Sequence, residues 1–265
     1  MKIKVLCMLM FLMAAVFVAG PYTDADARDP VTIKVGKEGV KITILDGTAK
    51  ALSPGQRDWQ AVRLNDVVHG GDEVFTGAKS RMEIAMPDGS RMRFAEKTRF
   101  ILQRMDPGDE KKGKNVRVHV VVGRTWANVM KATTGRSVFE ISCNNAVAGV
   151  RGTIYRMNVN EDKSALVKVY DGTVEVSRWT GLPSKEPLSA GPPKKVAGPT
   201  PVPGPKKVSM EEWTFILSSM QQISINADGT TEKPKNFDAQ EDLDDWVLWN
   251  KSQDGNGGNQ REDKT

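Results

Sequence analysis

Few residues of this sequence have types and spacings that could do chemistry. The two histidines, His69 and His119, are about fifty residues apart, and neither has a second histidine or a cysteine at metal-ligand spacing. His119 alternates with valines, as an exposed strand residue does. Cys143 follows an apolar run, where a lone thiol usually packs as a small hydrophobe. These residues predict neither a metal centre nor a nucleophile.

Two carboxylates could form a pair, because Asp66 and Asp72 lie on either side of Gly70-Gly71. Turn chemistry explains them more simply, since Asp favours such positions through bonds to the local backbone. The sequence has no phosphate-binding loop and no nucleophile elbow. We therefore predict a protein that is not an enzyme and has no cofactor. A hydrolase whose acid pair comes from distant strands is a minor alternative.

The N-terminus has the pattern of an export signal. Lys2 and Lys4 precede an uncharged run over residues 5–20, and Ala25-Asp26-Ala27 matches a small-x-small cleavage site. We predict a signal peptide over residues 1–27, with an uncleaved anchor as the alternative. No later segment is apolar enough to span a membrane. The mature protein is therefore expected in the periplasm or outside the cell, with Cys143 as its only thiol and no disulfide.

The charge of the chain is unevenly distributed. The formal net charge is +5, and the last forty residues are acidic, so the body before them is more basic than the total. Lys and Arg alternate there with acidic and apolar residues and form no basic block. We interpret them as the solvated faces of strands and predict no nucleic-acid partner.

Alternation of polar and apolar residues dominates residues 31–178. Runs such as Arg81–Met86 and Arg117–Val120 place one side chain in two on a buried face. Asp-Gly pairs at 46–47, 88–89 and 171–172 lie between such runs, and Asp-Gly is favoured in two-residue hairpin turns. The pattern predicts an all-β antiparallel sandwich or roll, built from imperfect β-hairpin repeats.

The C-terminal third differs in amino-acid composition. Residues 179–207 are rich in proline and glycine and predict an extended linker. Residues 208–250 predict a short α-helical extension with two helices, begun by capping boxes at Ser209 and Asp238, and a short strand over Ile223–Ile225 between them. Residues 251–265 are polar and glycine-rich and predict a disordered tail.

One set of motifs is specific enough to suggest a family. Its residues are Trp59, Gly71, Asp72, Thr76, Gly77, Asp88, Gly89, Gly149, Val150, Arg151, Gly152, Thr153, Asp171 and Gly172. In this order, over nearly half of the chain, they resemble the FecR family, named for a periplasmic regulator of iron-citrate uptake. The most specific stretch is Val147–Tyr155.

The resemblance implies an all-β domain outside the cytoplasmic membrane that serves sensing or protein contact. Regulators of the family usually have a sigma-factor-binding N-terminal domain and one membrane span, and this sequence opens with a signal peptide instead. Ser142-Cys143-Asn144 also stands where the family often has Thr-Pro. We therefore expect a stand-alone exported member that binds an envelope protein, without direct control of a sigma factor.

Several residues have two interpretations. Arg151 is expected to hold a strand crossing together, or else to bind an anionic ligand. Trp213, Trp246 and Trp249 either dock on a partner or pack back on the sheet. An alternative function is binding of carbohydrate or peptidoglycan, with sugars stacked on Trp59, Trp126 and Trp179, although core burial of these rings is the simpler expectation.

Overall fold

The structure is a computed structural model that describes residues 39–106, 113–131, 137–179 and 213–259. The predicted signal peptide and nearly all of the predicted linker lie outside these residues. The described residues form seventeen strands and one helix. In chain order they are β1 (Gly39–Asp46), β2 (Ala49–Leu52), β3 (Gln60–Val62), β4 (Val67–His69), β5 (Glu73–Thr76), β6 (Arg81–Ala85), β7 (Arg91–Phe94), β8 (Arg99–Asp106), β9 (Asn115–Val129), β10 (Val138–Ser142), β11 (Ala146–Val150), β12 (Thr153–Val159), β13 (Ala165–Asp171), β14 (Thr173–Arg178), β15 (Thr214–Ser218), β16 (Gln221–Ile225), β17 (Lys235–Asn236) and α1 (Asp245–Asn259).

The strands form one large, largely antiparallel sheet with two halves that meet in β9. In the helix-side half the strand order is β4-β1-β6-β7-β9-β12-β13-β16-β17. In the opposite half it is β3-β2-β5-β8-β9-β10-β11-β14-β15. Within the registers that the structure describes, only β9 and β10 run parallel. The all-β class and the mostly antiparallel pairing predicted from the sequence are confirmed.

Both halves bury their inner side chains in one hydrophobic core. Phe94 of β7 stacks on Phe100 of β8, with ring centroids 3.6 Å apart. Both rings are fully buried, as are Met92 beside the first and Leu102 beside the second. Because these four residues come from the two halves, the alternation seen in the sequence points both sets of apolar side chains into the same space.

The chain crosses repeatedly between the two halves, and the crossings share one backbone feature. Residues with positive φ lie at nine of them: Gly47, Asn65, Gly71, Lys79, Lys97, Gly123, Gly152, Gly172 and Met220. A residue with positive φ reverses the local bend of an extended chain within a single residue. This left-handed conformation is unfavourable for most residue types. The fold therefore depends on left-handed residues at positions that the hydrophobic pattern does not mark.

The three Asp-Gly pairs do not play one role, which corrects the hairpin prediction in part. Asp88-Gly89 does close a hairpin between β6 and β7, but its loop has three residues, and Met86 N–H donates to the Ser90 carbonyl over 2.9 Å. Only Gly89 of that loop has positive φ. The pairs at 46–47 and 171–172 join strands of different halves, so they are crossings and not hairpins.

The three-residue loop itself recurs in the structure. In each copy an Asp side chain accepts the N–H of a Ser or Thr two residues later, and the residue between them has positive φ. The donor-acceptor pairs are Ser90–Asp88, Ser164–Asp162 and Thr230–Asp228, at 2.8–2.9 Å. The central residue of the second copy is Lys163, which hid that copy from a search for Asp-Gly.

The C-terminal segment differs most from its prediction. Thr214–Ser218, expected in a helix, forms β15 and pairs with β14, while the strand predicted at Ile223–Ile225 is confirmed within β16. The second helix exists, but it begins at Asp245 with Asp244 as its cap: the Val247 N–H donates to Asp244 Oδ1 over 2.8 Å. This helix continues to Asn259, into the tail that was expected to be disordered.

The described residues that precede and follow residues 180–212 lie side by side. The Arg178 N–H donates to the Trp213 carbonyl over 3.2 Å, and the Trp179 N–H donates to the Asn145 carbonyl over 3.1 Å. Residues 180–212 are thus inserted between two paired strands of one sheet. The predicted boundary near Trp179 does not separate the sheet from an independent extension.

Gly123 gives a direct test of the crossing geometry. Its φ is +113°, and a Cβ placed there would lie 2.5 Å from Thr98 Cα and 2.7 Å from Thr98 Cβ. We expect Gly123→Ala to lower the free energy of unfolding by about 2–4 kcal/mol, because both backbone strain and a clash oppose it. Urea unfolding measures the change.

Gly149→Ala is the matched control. A Cβ added at Gly149 would have no atom within 4 Å, and this residue lacks a positive φ. Alanine there should raise stability or leave it within about 1 kcal/mol of the original protein. Equal losses in the two variants would refute the proposed role of Gly123.

Candidate functional site

The residues of the first family motif are built into turns. Asp72 is almost fully buried, and its Oδ2 accepts the His69 N–H over 2.9 Å. Thr76 is fully buried; its hydroxyl donates to the Ala95 carbonyl over 2.6 Å and accepts the Thr98 N–H over 2.9 Å. Asp66 likewise accepts the Arg63 N–H over 2.7 Å. The turn chemistry expected for Asp66 and Asp72 is confirmed.

Asp88 is tied to a buried lysine that the sequence pattern does not mark. Lys114 is 5% exposed, and its Nζ donates to Asp88 Oδ2 over 2.6 Å and to Ser90 Oγ over 2.9 Å. Burial alone would raise the pKa of Asp88, but the hydrogen bonds from Lys114 and Ser90 outweigh it and hold the pKa below its usual value. The Asp88-Gly89 motif therefore anchors the β6–β7 hairpin against the start of β9.

The second family motif lies where two crossings meet. Thr153 Oγ1 donates to the Thr173 carbonyl over 2.9 Å. A Cβ on Gly172 would lie 2.6 Å from the Gly152 carbonyl oxygen, so these backbones need a glycine to approach so closely. Val150 is partly buried and packs on the core, and Arg151 lies exposed at the crossing.

The remaining candidates for chemistry lie in separate places. His119 is half-buried, its Nδ1 is 3.1 Å from Ser142 Oγ, and burial lowers its pKa. Cys143 is fully buried, and burial raises the pKa of its thiol. Across the described ranges, no three His, Cys, Asp or Glu residues are grouped so that they could hold a metal ion. In the same ranges no helix is long and apolar enough to cross a membrane.

The largest polar cluster lies on the outer face of the helix-side half, under α1. Arg93 is 1% exposed and bonds two carboxylates, with its Nε 2.6 Å from Glu83 Oε2 and its Nη1 2.8 Å from Asp254 Oδ1. The second oxygen of Asp254 accepts the indole N–H of Trp126 over 3.0 Å, and Asn128 Nδ2 lies 3.0 Å from Oδ1. One carboxylate of α1 thus joins strands β7 and β9.

A second cluster on this face surrounds Asp242. Arg156 Nη2 and Lys168 Nζ lie 2.5 and 2.6 Å from Asp242 Oδ1, and the hydroxyl of Tyr170 donates to Oδ2. Burial, followed by the bond to Asp242, raises the pKa of Tyr170 well above its usual value. The three donors come from β12 and β13, so Asp242 holds the chain before α1 onto the sheet.

Aromatic rings fill the space between these polar clusters. Trp246 is 2% exposed and stacks on Trp249, with centroids 5.4 Å apart. The guanidinium of Arg81 lies 5.1 Å from the Trp249 ring centroid. Trp213 is not part of a helix; its Nε1 donates to the Gly229 carbonyl over 3.0 Å. All three tryptophans proposed as docking residues pack against their own domain instead.

The outer face of the opposite half is different. On adjacent strands Glu140, Gly149 and Glu175 lie in one row, and Ile216 of β15 continues it. Arg117 pairs with Glu140 over 3.0 Å. Ile216 is 67% exposed, and a Cβ on Gly149 would enter open space. Within the described residues, no atom lies within 4 Å of a Cβ added at Gly149 in this row.

The family comparison agrees with the sequence motifs. Residues 72–175 match the family model described as FecR protein. The chain therefore contains a FecR domain over residues 72–175, as its motifs predicted, and this family is generally non-enzymatic. A search of curated proteins found no significant match.

The chain is also similar to two solved structures. Two crystal structures of a proposed anti-sigma factor from Parabacteroides distasonis ATCC 8503 each match with 20% sequence identity and a TM-score of 0.42. Each match covers 63% of this chain and 61% of the other chain. This chain thus spans about three fifths of the length of the proteins that it resembles.

Sequence reasoning missed the buried charges on the helix-side face. The alternation correctly places Arg93 and Arg156 on the face of the sheet that points away from the core. Polar residues on that face were expected to be exposed to solvent. Their partners, Asp254 and Asp242, lie 161 and 86 residues further along the chain. The acidic C-terminal segment after a basic body was the one available signal that the two complement each other.

Asp242 allows a test of how the C-terminal segment is held. Its side chain is 7% exposed, so Asp242→Ala leaves Arg156 and Lys168 with uncompensated charge under α1. We expect a loss of about 3–5 kcal/mol in the free energy of unfolding. Asp245→Ala, an exposed change in the first turn of α1, should cost less than about 1 kcal/mol. Urea titration followed by tryptophan fluorescence compares them, and equal small losses would contradict the anchoring role.

Proposed function

We propose that this FecR-domain protein is exported to the bacterial cell envelope and acts there as a non-enzymatic sensing or scaffold module that binds another protein. Export is supported by the basic start, the apolar run and the Ala25-Asp26-Ala27 site. Protein binding is supported by the anti-sigma description of the similar structures. The proposal does not include direct control of a sigma factor.

The proposal rests mainly on the empty space beside Gly149 in β11. Glycine within a strand lowers stability by about 0.5–1 kcal/mol relative to alanine, yet neither φ nor a neighbouring atom requires it here. Glycine in a strand also marks places where another backbone approaches closely. Since nothing in the described chain approaches, a partner is the natural occupant.

The side chains around Gly149 suit a protein partner. Val147, two residues before Gly149, lies on the same outward face of β11, Ile216 lies in the same row as Gly149, and Glu140 and Glu175 flank Gly149 on the adjacent strands. Glu140 is already paired with Arg117, whereas Glu175 is exposed. An apolar strip with an acidic rim fits a partner segment that presents apolar and basic residues.

Carbohydrate or peptidoglycan binding is the second candidate. It requires exposed aromatic rings, and Trp126 is only 1% exposed, while Trp59 and Trp179 are half-buried on separate strand ends. The geometry therefore favours the protein partner.

Gly149→Arg tests the proposal. The added side chain enters open space, so folding should be unchanged, but it blocks close approach and reverses the local charge. Formaldehyde crosslinking in cells of the source bacterium, followed by purification and mass spectrometry, should show a discrete partner with the original protein. We expect at least a tenfold loss of that crosslink in the variant, which is about 1.4 kcal/mol of binding free energy.

Gln60→Arg is the matched control, because it adds the same side chain at an exposed position on β3. It should retain the crosslinked partner. The proposal fails if Gly149→Arg also retains it. Purified protein that sediments with protein-free peptidoglycan, and loses this property in Gly149→Arg, would support the glycan alternative instead.

A further inference from the structure

The free edge of β15 has hydrogen-bonding groups that point away from the sheet. The Trp213 carbonyl accepts the Arg178 N–H, so Trp213 directs its backbone groups towards β14. Backbone groups alternate in direction along an antiparallel strand. Thr214, Ile216 and Ser218 therefore direct theirs outwards, and the Ser218 N–H donates to Gln221 Oε1 over 2.9 Å. Among the residues that the structure describes, no strand pairs with this second edge of β15.

This edge lacks the usual protection against pairing. Natural edge strands are kept short or carry charge, proline or a bulge. The other outermost strands, β3, β4 and β17, have two or three residues each. β15 has five residues, Thr-Phe-Ile-Leu-Ser, without a charge or a proline, and its register with β14 is continuous. Its central residue, Ile216, is 67% exposed.

The sequence of β15 is complementary to itself when it is read in the antiparallel direction. If Ile216 lies opposite Ile216 of a second copy, Phe215 lies opposite Leu217, and Thr214 lies opposite Ser218. Hydroxyl, aromatic-aliphatic and branched aliphatic cross-strand pairs all stabilise sheets. Because Ile216 directs both backbone groups outwards, this register also gives two N–H to carbonyl bonds across the two-fold axis.

We propose that two copies of this chain pair through β15, with the two-fold axis at Ile216, so that the opposite halves of both copies form one continuous sheet. Each exposed Ile216 then covers the other. Five paired residues bury less than the ~1,600 Å² of a standard interface, so the dimer is reversible and depends on concentration. This inference does not rest on the proposed function, because β15 and Gly149 are two strands apart.

Analytical ultracentrifugation of the purified protein over a concentration series tests the pairing. The original protein should shift from monomer to dimer, and Ile216→Lys should raise the dissociation constant at least tenfold, because it places two charges opposite each other. Leu248→Lys is the matched control on α1, where the original side chain is 50% exposed. It should leave the dissociation constant unchanged. A monomer at every concentration, or a dimer that survives Ile216→Lys, overturns the proposal.

Cysteine variants test the register in a Cys7→Ser background, where the remaining thiol, Cys143, is fully buried. Opposed residues in a hydrogen-bonded pair have Cα atoms about 5.5 Å apart, within the range of a disulfide. Ile216→Cys should therefore form a covalent dimer on mild oxidation. Thr214→Cys should not crosslink with itself, but it should crosslink when mixed with Ser218→Cys.

Two other results overturn the register. Equal crosslinking of Ile216→Cys and Thr214→Cys with themselves would indicate random collision. A Cys at position 216 that resists both oxidation and alkylation would show that another part of the same chain covers the edge.

Discussion

The structure depends on a steric constraint: an extended chain must reverse its bend each time it passes between the two halves of the sheet. Only then can both halves bury side chains in the core that Phe94 and Phe100 join. Left-handed residues provide these bends, and Gly123 does so in the middle of the fifteen-residue strand β9. The family motifs serve the same constraint, since Thr76 and Thr153 bond carbonyls across the crossings. These two motif threonines therefore have a structural role at the crossings.

The outer faces of the two halves of the sheet differ in whether the chain covers them. On the helix-side half, burying two arginines and a lysine without a partner would be unfavourable. The carboxylates of Asp242 and Asp254 compensate their positive charge. The C-terminal segment is therefore part of the FecR-domain fold, although it lies beyond residues 72–175 that match the family model. The opposite half has no such cover among the described residues. The outer face around Gly149 and the free edge of β15 are therefore the two surfaces to which the proposals assign binding. Neither proposal requires a change in the core.

The sequence predicted the parts of this arrangement that depend on local patterns. Alternation predicted a β domain over residues 31–178, which contains β1 to β14, and its clearest runs lie within strands such as β6 and β9, because a two-residue period is visible in a local stretch of sequence. It failed at Thr214–Ser218, where the capping box at Ser209 favoured a helix and pairing with β14 decided the outcome. Asp-Gly identified the hairpin at Asp88 but not the crossings, since a left-handed residue fits both. Asp254 and Asp242, which bond Arg93 and Arg156, could not be found, because tertiary contacts place the C-terminal segment on this face.

The central claim is that the C-terminal strands and the cluster around Asp242 complete the domain that contains the FecR motifs. Native-state hydrogen exchange measured by mass spectrometry tests it most directly, because it reports the opening free energy of each segment. The account predicts that the β15 amides of Phe215 and Leu217, which point to β14, and the β16 amides that bond β13 exchange as slowly as the amides of β13 and β14, and that all four strands open together in urea. Fast exchange of these amides while β13 and β14 stay protected would contradict it.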